Sequence, residues 1–365
     1  MLRNTKTYEY TKKITKTLSY IRNKFVFRSQ IMTKIAINGF GRIGRQTFKR
    51  IIEKYPGLGV VAINDLTDTK TLAHLLKYDS NYGIFNQEIN FGKDFISVNG
   101  KKYKVLSEKD AERLPWKKLD VDVVLECTGF FTDYRSVKKH IEAGAKKVII
   151  SAPADEKTIP EFILGVNADD LDIKKVEVMS MGSCTTNCLA VMVKVLDDNF
   201  KIEKGFMTTV HSYTNDQRIL DMSHEDLRRA RAAAVNIIPT TTGAAKSIGK
   251  IIPRLDGKLD GIALRVPTPI VSVLDLIVQV KKPVNKEEVN EVFRKAAQHN
   301  NFKGILRVEE NELVSLDFKG DSYSAIIDLP QTMVNGNLIK VVGWYDNEWG
   351  YSCRLAEFAD FVGKN

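Results

Sequence analysis

The sequence predicts two domains of different class, an α/β domain with a parallel sheet and an α+β domain with a mainly antiparallel sheet. The first half alternates short buried strands, such as Lys34–Asn38 and Val121–Leu125, with amphipathic helices. This alternation is typical of a parallel sheet with helices on both faces. The second half has strand-like, β-branched segments with few helices between them. A chain of 365 residues is long enough for two cores.

Composition narrows the class of protein. Hydrophobic residues make up 43% of the chain and charged residues 27%, as in ordinary globular proteins. No apolar run approaches the roughly 18 residues that a membrane span needs. The four cysteines do not form a disulfide framework, which favours a reducing compartment. We therefore expect a soluble, cytoplasmic protein with no membrane partner and no metal site.

The N-terminal segment, residues 1–31, differs from the rest. It contains eight Lys or Arg and one acid, Glu9, and so carries +7 of the net charge of +10. Nucleic-acid binding therefore has no support from charge beyond this segment. Its composition resembles an organelle transit peptide, but Met32 directly precedes the first strand, so a disordered tail or a mis-called start is the alternative. Without it, we expect one domain over 32–182, completed by a C-terminal helix within 347–365, and a second over 183–346.

A glycine motif follows the first strand. Gly39, Gly41 and Gly44 are spaced as G-x-G-x-x-G, a helix is predicted over Arg45–Tyr55, and Asp65 ends a second strand 21 residues beyond Gly44. Together these features indicate a Rossmann-like fold, in which the glycines let the backbone approach a pyrophosphate at the helix N-terminus. Asp65 would bind a ribose diol and repel a 2′-phosphate. The predicted cofactor is NAD rather than NADP.

The remaining elements of the first half continue the pattern. Short strands are expected within Ile89–Leu106, and a helix is expected over Tyr134–Ala143, with His140 in solvent. The strand Val121–Leu125 ends before Cys127. Because a dinucleotide lies at the carboxyl ends of parallel strands, residues 127–129 are candidate cofactor contacts, although simple packing explains Cys127 equally well.

Cys184 is the predicted nucleophile. Ser183 is a good N-cap residue, so Cys184 falls at the first position of a helix. Free N–H groups and the helix dipole there favour an anion, and a thiolate is the reactive form of cysteine. Cys188, one turn later in an apolar run, is expected to serve packing alone.

His211 and several anion-binding candidates follow. His211 lies near the end of the strand-like run Gly205–Thr214, and a Cys/His pair is a recurrent nucleophilic arrangement. The loop 215–236 is rich in arginine, which matches phosphate geometry. Thr242 and Gly243 precede a helix and form a natural phosphate seat. Arg265 interrupts an apolar strand and needs an anion or a carboxylate as partner.

Strands and two helices complete the second half. We expect a helix over Val284–His299 and antiparallel strands over Val271–Val280, Leu313–Phe318, Ser324–Asp328 and Ile339–Trp344. Leu355, Phe358, Ala359 and Val362 form the apolar stripe of a last helix, which would cover the first sheet.

Four motifs together resemble phosphorylating glyceraldehyde-3-phosphate dehydrogenases: Ser183–Cys188, Asn38–Gly44, Thr208–His211 and Trp344–Gly350. The resemblance runs from about Thr33 to Val362. It implies that Cys184 attacks the aldehyde of glyceraldehyde 3-phosphate, that His211 acts as base, and that inorganic phosphate cleaves the resulting thioester to 1,3-bisphosphoglycerate. It also implies a homotetramer, in which the loop 215–236 reaches a neighbour's cofactor.

The resemblance also assigns binding residues. The substrate phosphate would be held by Thr214 and Arg265. The seat of the attacking phosphate comprises Ser183, Thr185, Thr242 and Gly243, with Arg229 near both. Cofactor contacts are assigned to Arg42 and Ile43 at the pyrophosphate, Asp65 at the ribose, Lys109 and Cys127 on the adenine and nicotinamide sides, and Asn347 at the nicotinamide amide.

Two departures from the family pattern affect these expectations. Met222-Ser223 replaces the Leu-Pro typical of NAD-specific members, and a serine at this place resembles NADP-tolerant members, whereas Asp65 favours NAD. Cys127 replaces a Ser or Thr, which removes a hydrogen-bonding hydroxyl from a cofactor contact. The alternatives are an erythrose-4-phosphate dehydrogenase, which shares the Cys/His core, and a nucleic-acid-binding or scaffold protein on the same fold. The intact Cys184 and His211 count against the latter.

Overall fold

A computed structural model describes residues 32–156, 158–170 and 172–365. The expectations for residues 1–31 lie outside the described residues. Within the described ranges, every helix is too short or too polar to cross a membrane.

The first half forms a mostly parallel sheet. Its strands include β1 (Thr33–Asn38), β2 (Leu58–Asn64), a separate pair β3 (Tyr78–Asp79) and β4 (Gly83–Ile84), β5 (Ile89–Gly92), β6 (Phe95–Val98), β7 (Lys101–Leu106), β8 (Val123–Glu126), β9 (Lys147–Ile150) and β10 (Val178–Ser180). The eight-stranded sheet has the order β10-β9-β8-β1-β2-β7-β6-β5. Neighbours from β10 to β7 are parallel, and β6 and β5 add antiparallel hairpins at one edge. The predicted α/β class is confirmed.

The helices of this half are α1 (Arg42–Lys54), α2 (Thr69–Lys77), α3 (Trp116–Leu119) and α4 (Tyr134–Glu142). Helix α1 begins three residues before its predicted start, so Gly44 lies in its first turn. A Cβ built on Gly44 would lie 2.1 Å from the carbonyl oxygen of Gly39. The absence of a side chain at Gly44 lets the helix start pack directly on the strand end.

The expectation that His140 lies in solvent is wrong. Its side chain is fully buried, accepts a hydrogen bond from the Trp116 indole, and faces Glu126. Helix α4 turns this polar residue toward the sheet because Trp116 and Glu126 supply partners for both ring nitrogens. Hydrophobic periodicity does not reveal such a pairing.

The second half forms a mixed, mainly antiparallel sheet. Its strands are β11 (Ile202–Ser212), β12 (Ile238–Thr241), β13 (Leu259–Val266), β14 (Ser272–Val280), β15 (Leu306–Glu309), β16 (Ala325–Asp328), β17 (Met333–Asn335) and β18 (Leu338–Tyr345). They follow the order β12-β13-β11-β14-β18-β16-β15, with β17 beside β18. Only the β11–β13 and β15–β16 pairs in this described sheet are parallel. The parallel register places His211 directly beside Arg265.

The strand expected over Leu313–Phe318 is wrong, because this segment ends in a 3-10 turn, Ser315–Phe318. The Asp317 carboxylate accepts a hydrogen bond of 2.8 Å from the Val314 N–H, which closes the turn locally. Phe318 is buried and stacks on Trp344 at 5.2 Å. One aromatic anchor and a side-chain cap thus replace strand pairing.

Four further helices complete the chain: α5 (Cys184–Phe200), α6 (Ala244–Ile251), α7 (Lys286–Gln298) and α8 (Trp349–Lys364). Helix α5 buries its apolar run in the core of the second sheet. Helix α8 packs on α1, β1 and β8, and its predicted stripe, including Leu355 and Phe358, is buried there. The last helix therefore returns to the first sheet.

The glycine motif generates a stability prediction. We expect Gly44→Ala to lower the free energy of unfolding by about 1–3 kcal/mol, because the new Cβ must push the Gly39 carbonyl away. The control is Gly41→Ala, since a Cβ there meets nothing within 4 Å and φ is −74°. Denaturant unfolding measures both. Equal stability of the two variants would contradict the packing role of Gly44.

Candidate active site

Cys184 is the first residue of helix α5. The hydroxyl of Ser183 caps the helix by accepting a 3.0 Å hydrogen bond from the Thr186 N–H. The Asn187 amide donates to the carbonyls of Met181 and Ser183 at 2.9 Å, which holds the turn from β10 into the helix. The helix start and its cap thus lie where the sequence predicts. They leave the Cys184 backbone N–H free of an intrahelical partner.

His211 faces this cysteine from the end of β11. Its Nε2 lies 3.5 Å from Cys184 Sγ, and the ring is buried. The Nδ1 atom lies 2.7 Å from the carbonyl oxygen of Ser212. With the Nδ1 proton donated to that carbonyl, Nε2 presents a lone pair to the thiol, so this tautomer can accept the thiol proton.

Arg265 approaches the same imidazole from β13. Its Nη1 lies 2.5 Å from His211 Nδ1 and 3.1 Å from Ser212 O. An arginine only donates and a carbonyl only accepts, so Arg265 favours an Nδ1 without a proton and the Ser212 carbonyl favours an Nδ1 that carries one. We assign the proton to Nδ1 because the Ser212 carbonyl can accept from both His211 Nδ1 and Arg265 Nη1.

The charge state of the pair differs from the expectation. Burial raises the pKa of Cys184, and the positive charge of Arg265 offsets this only in part. Burial, followed by Arg265, lowers the pKa of His211 to about 3. In both groups burial favours the uncharged form. The removal of solvent raises the pKa of Cys184 by more than the start of helix α5 lowers it.

Tyr345 is a site residue that the sequence analysis left without a role. Its buried hydroxyl lies 2.9 Å from Thr185 Oγ1 and 2.7 Å from Thr209 Oγ1. Its ring meets the His211 ring edge-on at 6.1 Å. Tyr345 therefore ties the first turn of α5 to β11 and supports the imidazole. The sequence feature that could have pointed to Tyr345 is its position within the aromatic motif Trp344–Gly350.

The candidate anion ligands differ in the contacts that they already make within the protein. The Thr242 hydroxyl accepts from the Ala244 N–H, and Gly243 caps helix α6. Thr214 begins the loop after β11, and its N–H donates to the Gln217 side chain. Arg229 is already paired with Asp216 at 2.5 Å and contacts the Thr240 hydroxyl. Among the described residues, Arg265 instead has no carboxylate at ion-pair distance, so its charge is available for an anion.

A cavity of about 490 Å³ lies at the carboxyl ends of the first sheet. Five predicted cofactor residues line it: Gly39, Gly41, Asp65, Lys109 and Cys127. Thr128, which falls in the candidate range 127–129, lines it as well. Asn38, Asn64, Glu108 and Phe131 also line it, although the sequence analysis did not single them out as ligands. Their shared signal is position, since each lies at or just beyond a strand end or in the segment that follows it.

The cavity suits a dinucleotide. A side chain on Gly41 would point into open space, so its absence leaves room for close approach of a ligand to the backbone. The Asp65 carboxylate accepts from the N–H groups of Phe40 at 2.7 Å and Thr67 at 2.9 Å. It thus holds the glycine turn while facing the cavity, where remaining lone pairs can meet a ribose diol.

Four predicted cofactor residues do not line this cavity. Arg42 binds Asp79 and Glu348 with its guanidinium, which leaves only its backbone N–H for a pyrophosphate. Ile43 packs in the core of the first domain, and Gly44 packs on Gly39. Asn347 lies near the His211 end of the site, where its Oδ1 accepts from the hydroxyls of Ser212 and Ser272. Its amide N–H₂ is therefore directed away from those hydroxyls.

The cavity and the Cys–His pair are adjacent. Cys127, on the cavity floor, and Cys184 pack against the same apolar cluster. The Tyr351 hydroxyl donates to the Gly182 carbonyl at 2.8 Å, which fixes the strand end before α5 to helix α8. Burial, followed by Glu126, raises the pKa of Cys127 to about 12, so this thiol stays protonated.

Comparison with known proteins agrees with this arrangement. Residues 33–134 match the family model described as glyceraldehyde 3-phosphate dehydrogenase, NAD binding domain, and residues 183–347 match the model of its C-terminal domain. The chain is 54% identical over 331 residues to a glyceraldehyde-3-phosphate dehydrogenase of Streptomyces coelicolor, covering 90% of this chain and 98% of the relative.

Other relatives are similar to the same extent. A glyceraldehyde-3-phosphate dehydrogenase of Geobacillus stearothermophilus is 54% identical over 330 residues, with 90% of this chain and 98% of the relative covered. The chloroplastic enzyme A of Chlamydomonas reinhardtii is 54% identical over 341 residues, with 92% and 90% covered. The cofactor is NAD, and the protein is an oxidoreductase. The chain belongs to the glyceraldehyde-3-phosphate dehydrogenase family.

Proposed function

We propose that this protein oxidises glyceraldehyde 3-phosphate to 1,3-bisphosphoglycerate, with NAD as hydride acceptor and inorganic phosphate as second substrate. The observation that carries the proposal is the contact of 3.5 Å between Cys184 Sγ and His211 Nε2 beside a dinucleotide-sized cavity. We assign Cys184 as nucleophile and His211 as base. A nucleophile within reach of an oriented base is the requirement for covalent catalysis.

The contact between Cys184 Sγ and His211 Nε2 sets the path of the proton. Cys184 Sγ attacks the aldehyde carbon while its proton passes to His211 Nε2, and the free Cys184 N–H donates to the developing oxyanion. The proton then moves to that oxygen, which gives a thiohemiacetal. His211 takes it again as the hydride leaves the same carbon, and a thioester remains on Cys184. When bound, NAD accepts the hydride at its nicotinamide ring.

Phosphate then cleaves the thioester. A thioester is activated enough for a weak nucleophile, so the oxidation energy is kept in the acyl phosphate. We assign Arg265 and Thr214 to the phosphate of the substrate, because the Arg265 guanidinium lies beside His211 and, among the described residues, lacks a carboxylate partner. The second phosphate is assigned to the α5 and α6 helix starts, namely Ser183, Thr185, Thr242 and Gly243, with Arg229 adjacent.

We further assign the cofactor. Asp65 takes the ribose diol, the first turn of α1 takes the pyrophosphate through the backbone of Arg42 and Ile43, and Asn347 donates to the nicotinamide amide. Lys109 and Cys127 contact the two ends of the cofactor from the cavity wall and floor. Residues 32–182 together with 347–365 are proposed as the cofactor-binding domain, and residues 183–346 as the catalytic domain.

The chain is proposed to act as a cytoplasmic homotetramer. Large apolar side chains are exposed on the second sheet, including Phe206 and Ile262, and in the loop 215–236, including Ile219 and Leu227. Exposed apolar surface of this kind is typical of subunit interfaces. Light scattering of the full chain gives the subunit number directly, and a monomer would refute this assignment.

Activity tests the nucleophile. We expect phosphate-dependent NADH formation with glyceraldehyde 3-phosphate, and we expect Cys184→Ala to abolish it while leaving NAD binding intact. Cys188→Ala is the matched control, because Cys188 is buried one turn later and touches the core, including Met192. Substantial turnover by Cys184→Ala, or oxidation of erythrose 4-phosphate alone, would contradict the proposal.

The charge of Arg265 generates a pH prediction. This charge lowers the pKa of Cys184, so Arg265→Gln should raise that pKa and move alkylation of Cys184 by iodoacetamide to higher pH. The KM for glyceraldehyde 3-phosphate should rise as well. Arg229→Gln is the control, since Arg229 is paired with Asp216 and should leave the alkylation profile in place. An unshifted profile in Arg265→Gln would rule out this electrostatic role.

Coenzyme choice tests Asp65. We expect Asp65→Asn to raise kcat/KM with NADP relative to NAD, because a negative charge no longer repels the 2′-phosphate. Asp68→Asn removes the same charge from an exposed helix cap three residues away and should not change the ratio. Parallel assays with both coenzymes measure this ratio. An unchanged ratio in Asp65→Asn would indicate that Met222-Ser223, rather than Asp65, discriminates between NAD and NADP.

A further inference from the structure

A chain of buried polar side chains lies beneath the cofactor cavity, and the reaction described above uses none of it. Asn38, Asn64 and Glu126 end the neighbouring strands β1, β2 and β8, and all three are at most 5% exposed. Trp116 and His140 extend the chain away from the cavity and are completely buried. Buried polar groups of this kind are costly unless every one is satisfied.

The hydrogen-bond partners determine the tautomer of His140. The Trp116 indole N–H donates to His140 Nδ1 at 3.0 Å, and an indole can only donate. The Nδ1 atom therefore carries no proton. The proton of the neutral ring is on Nε2, which lies 3.1 Å from Glu126 Oε2 and donates to it.

Glu126 is then surrounded by donors alone. Its Oε2 accepts from His140 Nε2 and from the Asn38 amide at 2.5 Å. Its Oε1 accepts from the Thr128 N–H at 2.8 Å and from the Thr128 hydroxyl, whose oxygen itself accepts from the Phe130 N–H. Both carboxyl oxygens of Glu126 are thus held by hydrogen bonds. Within the described ranges, His140 is the one group that lies at ion-pair distance from Glu126.

The same groups shape the cavity. Thr128, Asn38 and Asn64 line it. The Asn64 amide donates to Asn38 Oδ1 at 2.7 Å and to the Glu108 carbonyl at 2.9 Å, while its Oδ1 accepts from the Glu108 N–H. One network thus joins the cavity wall at Glu108 to the floor at Thr128.

The first glycine of the motif depends on this floor. A Cβ on Gly39 would lie 2.7 Å from the backbone carbon of Cys127 and from the Thr128 nitrogen. The Gly39 turn therefore rests directly on the peptide that Glu126 holds through the Thr128 N–H. A shift of that peptide would also move the Gly39 turn, whose backbone is proposed to contact the cofactor.

We propose that His140 and Glu126 are positioning residues for NAD binding. His140 orients the carboxylate of Glu126, and Glu126 fixes the Cys127–Thr128 peptide and the Asn38 amide in the geometry that accepts the cofactor. The proposal rests on the assignment of this cavity to NAD under the proposed function. A buried polar network whose members are hydrogen-bonded fixes one arrangement of its side chains, and that arrangement is what the cavity requires.

The test is the dissociation constant of NAD, measured by calorimetry on the full chain well below the unfolding temperature. His140→Leu removes the donor to Glu126, and we expect the Kd to rise about tenfold, which corresponds to the loss of one buried hydrogen bond. His140→Gln keeps a donor toward Glu126, so it should restore most of the affinity. Turnover at saturating NAD and the KM for glyceraldehyde 3-phosphate should stay near wild type in both.

Glu126→Gln is the second variant, and it decides the question if His140→Leu does not fold. In this variant an amide N–H₂ group would replace one carboxyl oxygen and would face the two hydrogen-bond donors of that oxygen. We therefore expect a similar rise in the Kd for NAD. Glu309→Gln is the matched control, because Glu309 is 8% exposed and likewise accepts from several donors, Arg307, Asn311 and the Glu310 N–H. It belongs to the second sheet and should change stability without changing the Kd.

Lower melting temperatures with an unchanged Kd for NAD in His140→Leu and Glu126→Gln would overturn the proposal, since the network would then serve folding alone. A fall in turnover at saturating NAD would also overturn it. Gly41→Ala distinguishes failure of the positioning role from failure of the assignment of this cavity to NAD. If this variant loses NAD affinity while the network variants do not, the cavity assignment stands and the positioning role fails. If none of the three alters the Kd, the cavity assignment itself fails.

Discussion

The start of helix α5 is the constraint on which the active site depends. This helix follows β10 of the first sheet, buries its length in the core of the second, and begins with Cys184. The Ser183 cap, the Asn187 amide and the Tyr351 hydroxyl hold its first turn from three directions. Tyr345 ties this turn to β11, and the thiol therefore meets His211 at the end of that strand.

The arginines of the site differ in whether a carboxylate neutralises their charge. Arg42 and Arg229 are paired with carboxylates, and they therefore hold segments of the chain together. Arg265 has a histidine and a carbonyl as its neighbours, in a partly buried position. A guanidinium without a carboxylate partner is stabilised by an arriving anion, which supports the proposed role of Arg265 in binding the substrate phosphate.

The cofactor cavity is built from strand ends. Parallel strands bring Asn38, Asn64 and Glu126 to one edge, where their side chains bind each other and leave backbone and cavity-lining atoms in place for a ligand. The glycine motif adds close backbone approach, and Asp65 holds the motif by the Phe40 N–H. Residues that bind the cofactor and residues that shape the turn are thus partly the same.

The sequence by itself determined what depends on neighbours along the chain: the Ser183 cap before Cys184, the glycine motif with Asp65, and the apolar stripe of α8. Only the tertiary structure decided the rest. Burial raises the pKa of Cys184 and lowers the pKa of His211, and the Glu348 carboxylate binds the Arg42 side chain. Trp116 turns His140 inward, and β13 lies parallel to β11 with Arg265 beside His211. Each of these outcomes depends on partners far away in sequence, because solvent exclusion and long-range pairing are properties of the folded chain that local patterns do not encode.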